Sequence, residues 1–544
     1  MTAQELHGRR LVLVTVGVML ALLLAALDQT IVGTAMPRII ADLNGLDRYA
    51  WLTTAYLVTS TVTVPIAGKL GDLFGRKPFI LGGMSGFMVM SWFCGFAQDM
   101  NQLIVFRAAQ GLFGGVLFAS VFTVLADIFT PQTRARMQGV FGGVFGLASI
   151  IGPATGGFIT DNWGWRWVFY VNVPVGVIGI ALLVAYLPFV RTKASWRDID
   201  FVGAFLMAAG LVPILIALSN TNTYGWTSWQ TLLPLLGGVG LLIAFLVVEH
   251  FEPEPIVPLK LFLNRAYAVS VIVGFLSGFG MFGAIIFTPL IFQGVLGVSA
   301  TNSGTLITPM MLGLIGSSVI TGQLMVRLKH YAFLGTIGSA VMIAGMLLLS
   351  EVAVTSTTLQ VTAALVIVGA GLGVSMPLYL NAVQSAVERK FLGVVSSNLQ
   401  FFRNVGGTIA TAIFGSILAN RLAPNIQDKI NAAHLPAQFT SNFKVGFTSA
   451  GQIFNQAALA QRRAALPPNL RPVFDQAMIA VKAGLATTLH EMFLIGAAVI
   501  AVALVASLFM PSVPLRGKQP DTGPVPVEPE EAEKTAEASV ASAR

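Results

Sequence analysis

A single carboxylate lies inside the first long apolar segment of the chain. Asp28 stands within the run from Leu11 to Ala35, where no neighbouring residue in the sequence could neutralise it. A charged side chain inside a membrane-spanning segment costs several kcal/mol, so such residues usually face a cavity, a partner or an ion path. The sequence therefore predicts that a residue on another segment balances Asp28.

Arg107 lies at a depth that fits this requirement. It stands about five residues inside the apolar segment 102–126, and Asp28 stands seven residues before the end of the segment 12–35. If the two segments are antiparallel helices, both side chains lie on the order of 10 Å below the same surface. The pair could be a static structural ion pair. Alternatively, Asp28 could bind and release protons while Arg107, which keeps its charge, serves as the counter-charge.

Arg403 is a third charge inside an apolar segment, close to the middle of residues 393–418. No acidic residue lies near it in the sequence. Two roles stay open for it at this point, one at a substrate cavity and one in bracing helices against each other.

The composition restricts the class of protein. Of 544 residues, 55% are hydrophobic and only 10% are charged, against about a quarter charged in soluble domains. A mean hydropathy of +0.78 is typical of a polytopic membrane protein. The net charge of +8 is placed as membrane topology requires, so it does not indicate nucleic-acid binding. One cysteine, Cys94, allows no intrachain disulfide and suggests no redox site.

Apolar segments of about 20 residues predict the membrane helices. The expected fold is an all-α membrane protein with fourteen spans, arranged as two pseudo-repeated six-helix bundles plus two inserted helices. The predicted spans are 12–35, 50–70, 79–97, 102–126, 138–160, 167–189, 200–219, 231–250, 267–293, 303–326, 332–350, 360–380, 393–418 and 489–511. Lysines and arginines concentrate in alternate short connections, which places both termini in the cytoplasm.

The predicted domain boundaries follow from these spans. Residues 1–190 form an N-terminal six-helix half, and residues 191–265 carry the two inserted helices. Residues 266–514 form the C-terminal half, including an external loop at 419–488. Residues 515–544 are rich in Pro, Glu and Ala, and we expect a disordered cytoplasmic tail.

Several segments resemble motifs of the major facilitator superfamily, in particular those of its fourteen-span drug/proton antiporters. Residues 68–77, with the sequence GKLGDLFGRK, resemble the hallmark loop between spans 2 and 3. Residues 27–37 are similar to the span 1 motif, and residues 107–111 resemble the span 4 motif linked to proton coupling. Residues 152–157, with the sequence GPATGG, resemble the antiporter motif of span 5.

The resemblance implies roles for individual residues. Asp28 and Arg107 would handle proton coupling, and the candidate cavity residues are Asp28, Gln110, Asn381 and Arg403. The antiporter helix motif would consist of Gly152, Pro153, Gly156 and Gly157. A latch that stabilises the outward-facing state would be formed by Gly68, Asp72, Gly75, Arg76, Lys77 and Asp127.

These observations predict a proton-coupled antiporter that exports amphipathic, cationic or drug-like small molecules by alternating access. We expect a multi-pass monomer in a bacterial plasma membrane, driven by the proton gradient without a cofactor or metal. Export of a lipid, siderophore or endogenous metabolite is the alternative, and a non-transporting membrane sensor is a remote one. A membrane enzyme is not expected, because the chain has no Walker loop, no nucleophile elbow and no paired metal motif.

Overall fold

The computed structural model describes residues 8–43, 49–189, 199–298, 308–328, 330–433 and 463–513, together with residues 306 and 461. Within these ranges the chain forms helices joined by short connections, and no strand occurs. The first group of helices is α1 (Gly8–Leu43), α2 (Tyr49–Phe74), α3 (Arg76–Phe96), α4 (Met100–Ile128), α5 (Pro131–Asn162), α6 (Trp167–Tyr170) and α7 (Asn172–Tyr186). Two helices follow, α8 (Phe201–Tyr224) and α9 (Trp229–Phe251). The last group is α10 (Arg265–Leu290), α11 (Thr308–Arg327), α12 (Phe333–Ser350), α13 (Thr358–Ala386), α14 (Leu392–Ala432) and α15 (Arg471–Leu508).

Twelve spans in the described part of the chain are long and apolar enough to cross a membrane, with α6 and α7 together forming one of them. Helices α2 and α5 are not among the twelve, although they contain 26 and 32 residues. The predicted all-helical membrane fold is confirmed. The count of fourteen spans, the orientation of the termini and the domain boundaries stay predictions.

Polar side chains mark where two of the helices begin. Asp99 precedes α4, and its carboxylate accepts a hydrogen bond from the Gln102 backbone amide at 2.9 Å. Thr357 precedes α13 and forms a capping box with Gln360. Both caps satisfy amides of a first helical turn that have no partner inside the helix. They therefore help to set where α4 and α13 start, and α4 carries Arg107.

The helices pack in two groups. In the first group α2 packs on α4, and α1 packs on α5 and α7. In the second group α10 packs on α14, and α13 packs on α11 and α12. Helices α8 and α9 pack on each other, and their buried side chains, including Met207 and Phe245, join the core of the first group. The described residues form four buried apolar clusters, two mainly in each group, and the pair α8–α9 joins one cluster of the first group.

The two groups touch at the end of the bundle that carries residues 69–76, which we call the basic end. A Cβ atom on Gly68 of α2 would lie 2.0 Å from Ser397 Oγ of α14. A Cβ atom on Gly322 of α11 would lie 2.3 Å from the carbonyl oxygen of Ala135 in α5. Small residues allow helix backbones to approach closely, and these two contacts need them. The basic end is therefore closed between the groups in this conformation.

Both ends of the predicted external loop at 419–488 are helical, because α14 continues to residue 432 and α15 begins at residue 471. The sequence favours a helix at Val473–Leu485, which lies within α15, and the external position of the loop stays a prediction. Leu422, Ile426 and Ile430 recur every four residues along the extension of α14, and they are buried in a cluster that includes Val481 of α15. This apolar stripe stabilises both extensions. The remaining segment 434–460 and the predicted tail lie outside the described residues.

The antiporter motif residues of α5 differ in their surroundings. A Cβ atom on Gly152 would lie 2.0 Å from Thr30 Oγ1 of α1, so this glycine is required by the contact between the two helices. A Cβ atom on Gly157 would meet nothing within 4 Å. Gly156 is buried, and the side chain of Pro153 lies outside the described part. Of these residues, Gly152 is the one with a demonstrable packing role.

Replacing Gly152 by Val should destabilise the bundle, because overpacking a close helix contact costs roughly 1–3 kcal/mol. The measurement is the midpoint of thermal unfolding of the detergent-solubilised protein. Gly157→Val in the same helix is the matched control and should unfold close to the wild-type midpoint. Equal midpoints for the two variants would contradict the role assigned to the contact between α1 and α5.

Candidate functional site

Asp28 and Arg107 form a buried ion pair between α1 and α4. Their side chains meet through Arg107 Nη1, which donates to Asp28 Oδ2 at 2.6 Å. Asp28 is 1% exposed and Arg107 is 2% exposed. The second carboxylate oxygen, Oδ1, accepts hydrogen bonds from Gln110 Nε2 at 3.0 Å and from Asn172 Nδ2 at 2.9 Å. Each oxygen of the carboxylate therefore has a donor, and its charge is balanced by the guanidinium.

A second layer of contacts orients these donors. Arg107 Nη1 also donates to Gln110 Oε1 at 2.7 Å, and the Arg107 guanidinium lies 4.4 Å from the centre of the Tyr56 ring. Ser91 Oγ on α3 accepts from Gln110 Nε2 at 3.1 Å and from Asn172 Nδ2 at 2.8 Å. The network therefore connects α1, α3, α4 and α7. A change in the charge of Asp28 would therefore alter hydrogen bonds that involve all four helices.

Close packing of α2 on α4 places Tyr56 against Arg107. A Cβ atom on Gly111 of α4 would lie 2.2 Å from Thr59 Oγ1 and 2.4 Å from the carbonyl oxygen of Tyr56. The missing side chain at Gly111 lets α2 approach, which brings the aromatic ring over the guanidinium. Such a cation–π contact is worth up to about 2 kcal/mol when it is desolvated.

The predicted latch residues come together at the basic end. The Asp72 carboxylate accepts hydrogen bonds from the backbone amides of Gly393 at 3.0 Å and Val394 at 2.9 Å, in the first turn of α14. Arg76 forms ion pairs with Asp72 and with Asp127, the latter at 3.0 Å. A carboxylate at a helix N-terminus satisfies free amides and interacts favourably with the helix dipole. The latch therefore joins α2, α3 and α4 to the second group of helices.

Gly75 and Lys77 serve the turn between α2 and α3 in different ways. Gly75 has a φ of +93°, in the region that favours glycine, so a side chain there would strain the turn that aims Arg76. Lys77 Nζ donates to the carbonyl oxygens of Val184 at 2.8 Å and Leu187 at 2.6 Å at the end of α7. Lys77 therefore bonds within the first group of helices and does not reach across to the second group.

A buried polar cluster also joins the two groups near the basic end. Gln384 Oε1 of α13 accepts from Arg134 Nη1 at 3.2 Å and from Gln138 Nε2 at 3.4 Å of α5. Asn381 Nδ2 donates to Gln138 Oε1, and Gln384 Nε2 donates to Ser396 Oγ at 2.7 Å. Sequence reasoning missed Gln138 and Gln384. Gln138 begins the predicted span 138–160 and Gln384 lies four residues beyond the predicted span 360–380, and an amide at such a position does not identify its partner.

A cavity of about 300 Å³ lies between the two groups of helices. Its described lining is mostly apolar and aromatic, with hydroxyl and amide side chains between them, and Arg403 is the one charged residue in that lining. Gln138 and Ser396 also line it, so the polar cluster forms its floor. Of the four predicted cavity residues, Arg403 lines the cavity, whereas Asp28, Gln110 and Asn381 do not. The last three are buried in the two polar networks instead.

The comparisons with known proteins agree with this arrangement. The sequence model of the Major Facilitator Superfamily matches residues 18–411. The chain belongs to the major facilitator superfamily. A relative that is 40% identical over 95% of this chain and 96% of its own length is the multidrug transporter protein MdtP of Bacillus subtilis. Multidrug resistance protein 3 of the same organism is 38% identical over 76% of this chain and 81% of its own length.

The solved structures support the same fold. The crystal structure of the human organic anion transporter MFSD10 matches with a TM-score of 0.54 over 90% of this chain and 99% of that one, at 13% identity. At that identity the likeness concerns the fold alone. The match to the superfamily and the 40% identity to a multidrug transporter show that the chain is a multi-pass membrane transporter and not an enzyme, as the sequence predicted.

The ion pair should show non-additive behaviour on mutation. Arg107→Gln leaves the Asp28 carboxylate buried without a counter-charge, which typically destabilises a protein by about 3–5 kcal/mol. Adding Asp28→Asn removes that charge, so the double variant should unfold at a higher temperature than Arg107→Gln alone. Thermal unfolding of the detergent-solubilised protein measures both. Additive losses from the two substitutions would contradict direct coupling between these side chains.

Proposed function

We propose that this transporter is a proton-coupled antiporter that exports amphipathic small molecules by alternating access. The observation that carries the proposal is the buried Asp28–Arg107 pair. A carboxylate beside a permanent cation can exchange a proton when helix movement changes its burial or the distance to its partner. The names of the relatives MdtP and multidrug resistance protein 3 support a drug-like cargo.

The coupling follows from charge balance within the network. When Asp28 is ionised, Arg107 balances it and the donors of Gln110 and Asn172 satisfy its second oxygen. When a proton neutralises Asp28, Arg107 becomes a buried cation without a counter-charge, which costs several kcal/mol. The helices that carry these residues then relax toward an arrangement that solvates Arg107. Proton binding is in this way tied to the relative positions of α1, α4 and α7.

The proposed transport cycle starts from the state in which the basic end is closed. On the predicted topology the basic end faces the cytoplasm, so its closure by the latch and the polar cluster corresponds to an outward-facing conformation. In this state Asp28 takes a proton from outside. After the latch opens and the cavity turns to the cytoplasm, release of the proton restores the ion pair while cargo binds. The inward proton gradient across a bacterial plasma membrane then drives export, without a cofactor and by a single chain.

Asp28→Asn should abolish the coupling, because an amide cannot exchange a proton. The measurement is proton release from acidified inside-out vesicles, followed by a pH-sensitive dye on addition of amphipathic dyes and antibiotics of either charge. Asp161→Asn is the control, since Asp161 is an exposed acid at the end of α5. That variant should behave like the wild type. Cargo-dependent proton release by Asp28→Asn at the wild-type rate would refute the assignment, and a wild type that responds to no compound would refute proton-coupled export.

Asp72→Asn should open the basic end more often, because a neutral amide binds the first turn of α14 and Arg76 more weakly than a carboxylate does. The probe is a cysteine placed by Ser397→Cys, a position 1% exposed beneath Gly68, in a Cys94→Ser background. An impermeant maleimide should label this cysteine severalfold faster in inside-out vesicles when Asp72→Asn is present. Glu388→Gln, at an exposed acid next to the same end, is the control. Equal labelling in all variants would contradict the latch.

A further inference from the structure

Arg403 differs from Arg107, the buried arginine that pairs with Asp28, in what surrounds its charge. Arg107 is 2% exposed and has a carboxylate, an amide oxygen and an aromatic ring as partners. Arg403 is 7% exposed. Within the described part of the chain it forms no hydrogen bond, no ion pair and no cation–π contact. The charge of Arg107 is therefore balanced by a carboxylate, whereas no described carboxylate balances that of Arg403.

A guanidinium carries five N–H donors and a charge that it does not lose in proteins. Burying such a group without a partner is expensive, because it loses hydration and gains no Coulomb energy in return. A membrane protein keeps a side chain of this kind where it faces a pathway or a cavity. The position of Arg403 in the cavity lining meets that condition.

The backbone around Arg403 is held in place by a close helix crossing. A Cβ atom on Gly278 of α10 would lie 2.1 Å from the carbonyl oxygen of Arg403. One turn further along α14, a Cβ atom on Gly406 would lie 2.0 Å from the carbonyl oxygen of Phe275. Helices α10 and α14 therefore touch backbone to backbone at this position and at the next turn. The arginine is presented to the cavity from a rigid support, as a binding residue requires.

The surroundings of Arg403 in the cavity suit an amphipathic ligand. Gln400 and Asn404 line the cavity beside it and bond to each other, with Gln400 Nε2 3.3 Å from Asn404 Oδ1. Apolar and aromatic residues make up much of the remaining wall, including Phe118, Phe122, Phe141, Met281, Phe282 and Met311. Such a wall can bury an apolar body, and the few polar groups set its orientation.

A cationic cargo does not fit this charge distribution. Asp28, the acid on which the expectation of cationic cargo rested, is enclosed by its own network and does not line the cavity. A cation in the cavity would meet Arg403 and no described carboxylate. Like charges repel strongly where water is scarce, and opposite charges attract there.

We propose that Arg403 recognises an anionic group on the cargo, so that the preferred substrates are amphipathic acids such as carboxylates with an apolar or aromatic body. This inference rests on the proposed export function and names the cargo of the same cavity. It assigns proton binding and cargo binding to two different sites within the membrane. Asp28 carries the proton, and Arg403 holds the cargo.

Three probes that share one apolar body test the proposal. They are 1-pyrenebutyrate, its neutral amide and 1-pyrenebutylamine, which present a carboxylate, an uncharged group and an ammonium. Equilibrium binding to the detergent-solubilised protein is measured by fluorescence. The wild type should bind the carboxylate at least about tenfold more tightly than the ammonium, since hydrogen bonds to charged groups are worth that much or more.

Substitutions then test whether Arg403 causes the preference for the carboxylate probe. Arg403→Gln should weaken binding of the carboxylate probe about tenfold to a hundredfold. It should change binding of the neutral amide much less, and Arg403→Lys should keep part of the preference. Arg421→Gln is the matched control, because Arg421 is an exposed arginine on the same helix, outside the cavity lining. Its binding should equal that of the wild type.

Two results would overturn the proposal that Arg403 recognises an anionic cargo. Equal or tighter binding of the ammonium probe by the wild type overturns the proposal, and this result does not depend on whether a variant folds. Carboxylate preference that survives unchanged in Arg403→Gln also overturns it, since recognition would then lie elsewhere. Failure of proton coupling in vesicles would refute the antiport function and leave the binding result standing. The two proposals can therefore fail separately.

Discussion

A charge inside an apolar helix bundle has to be compensated by the protein itself, because neither water nor a lipid headgroup is available there at low cost. The Asp28 network meets this requirement with contributions from four helices. Arg107 supplies the opposite charge, Gln110 and Asn172 donate to the second carboxylate oxygen, and Ser91 accepts from both amides. The same requirement explains why the network would respond as a unit to a proton. Removing one charge leaves the other uncompensated. The free-energy cost of that buried charge favours a change in the contacts among these helices.

The closure of the basic end depends on a weaker kind of interaction. Asp72 binds amides in the first turn of α14, and these amides would otherwise be free to bind water. Breaking that contact near the membrane surface exchanges protein hydrogen bonds for bonds to solvent. The glycines at this end let the helices meet without interlocking side chains, as Gly68 does against Ser397. A contact of this kind can form and break at low cost, whereas separating the buried Asp28–Arg107 pair leaves a charge without a partner.

Some of the site could be predicted from sequence because the relevant physics is local. The rise of a helix is constant and intramembrane charges are few, so depth alone pairs Asp28 with Arg107. The latch residues Asp72, Gly75 and Arg76 share one turn, and the structure brings them together with Asp127. Asn172 and the amides Gln138 and Gln384 could not be found in this way. An uncharged polar residue in an apolar span has many satisfactory partners, so neither its depth nor its type selects one. The extension of α14 to residue 432 was not predicted, because a stripe of apolar residues such as Leu422 and Ile426 indicates a helix contact only once the partner helix is known.

By itself the sequence determined the class of protein, the approximate positions of the spans and the need of Asp28 for a counter-charge. These follow from the energy of transferring each residue from water into an apolar layer, which is a property of the residue and its neighbours along the chain. The tertiary structure alone decided which residues face the cavity. Asp28 and Gln110 are enclosed in the ion-pair network, and Asn381 bonds to Gln138 in the polar cluster. Arg403 lines the cavity. Helices buried on several sides have no single polar face, so their rotation about the helix axis is set by packing against other helices. That rotation determines which charge is enclosed by the protein and which faces the cavity.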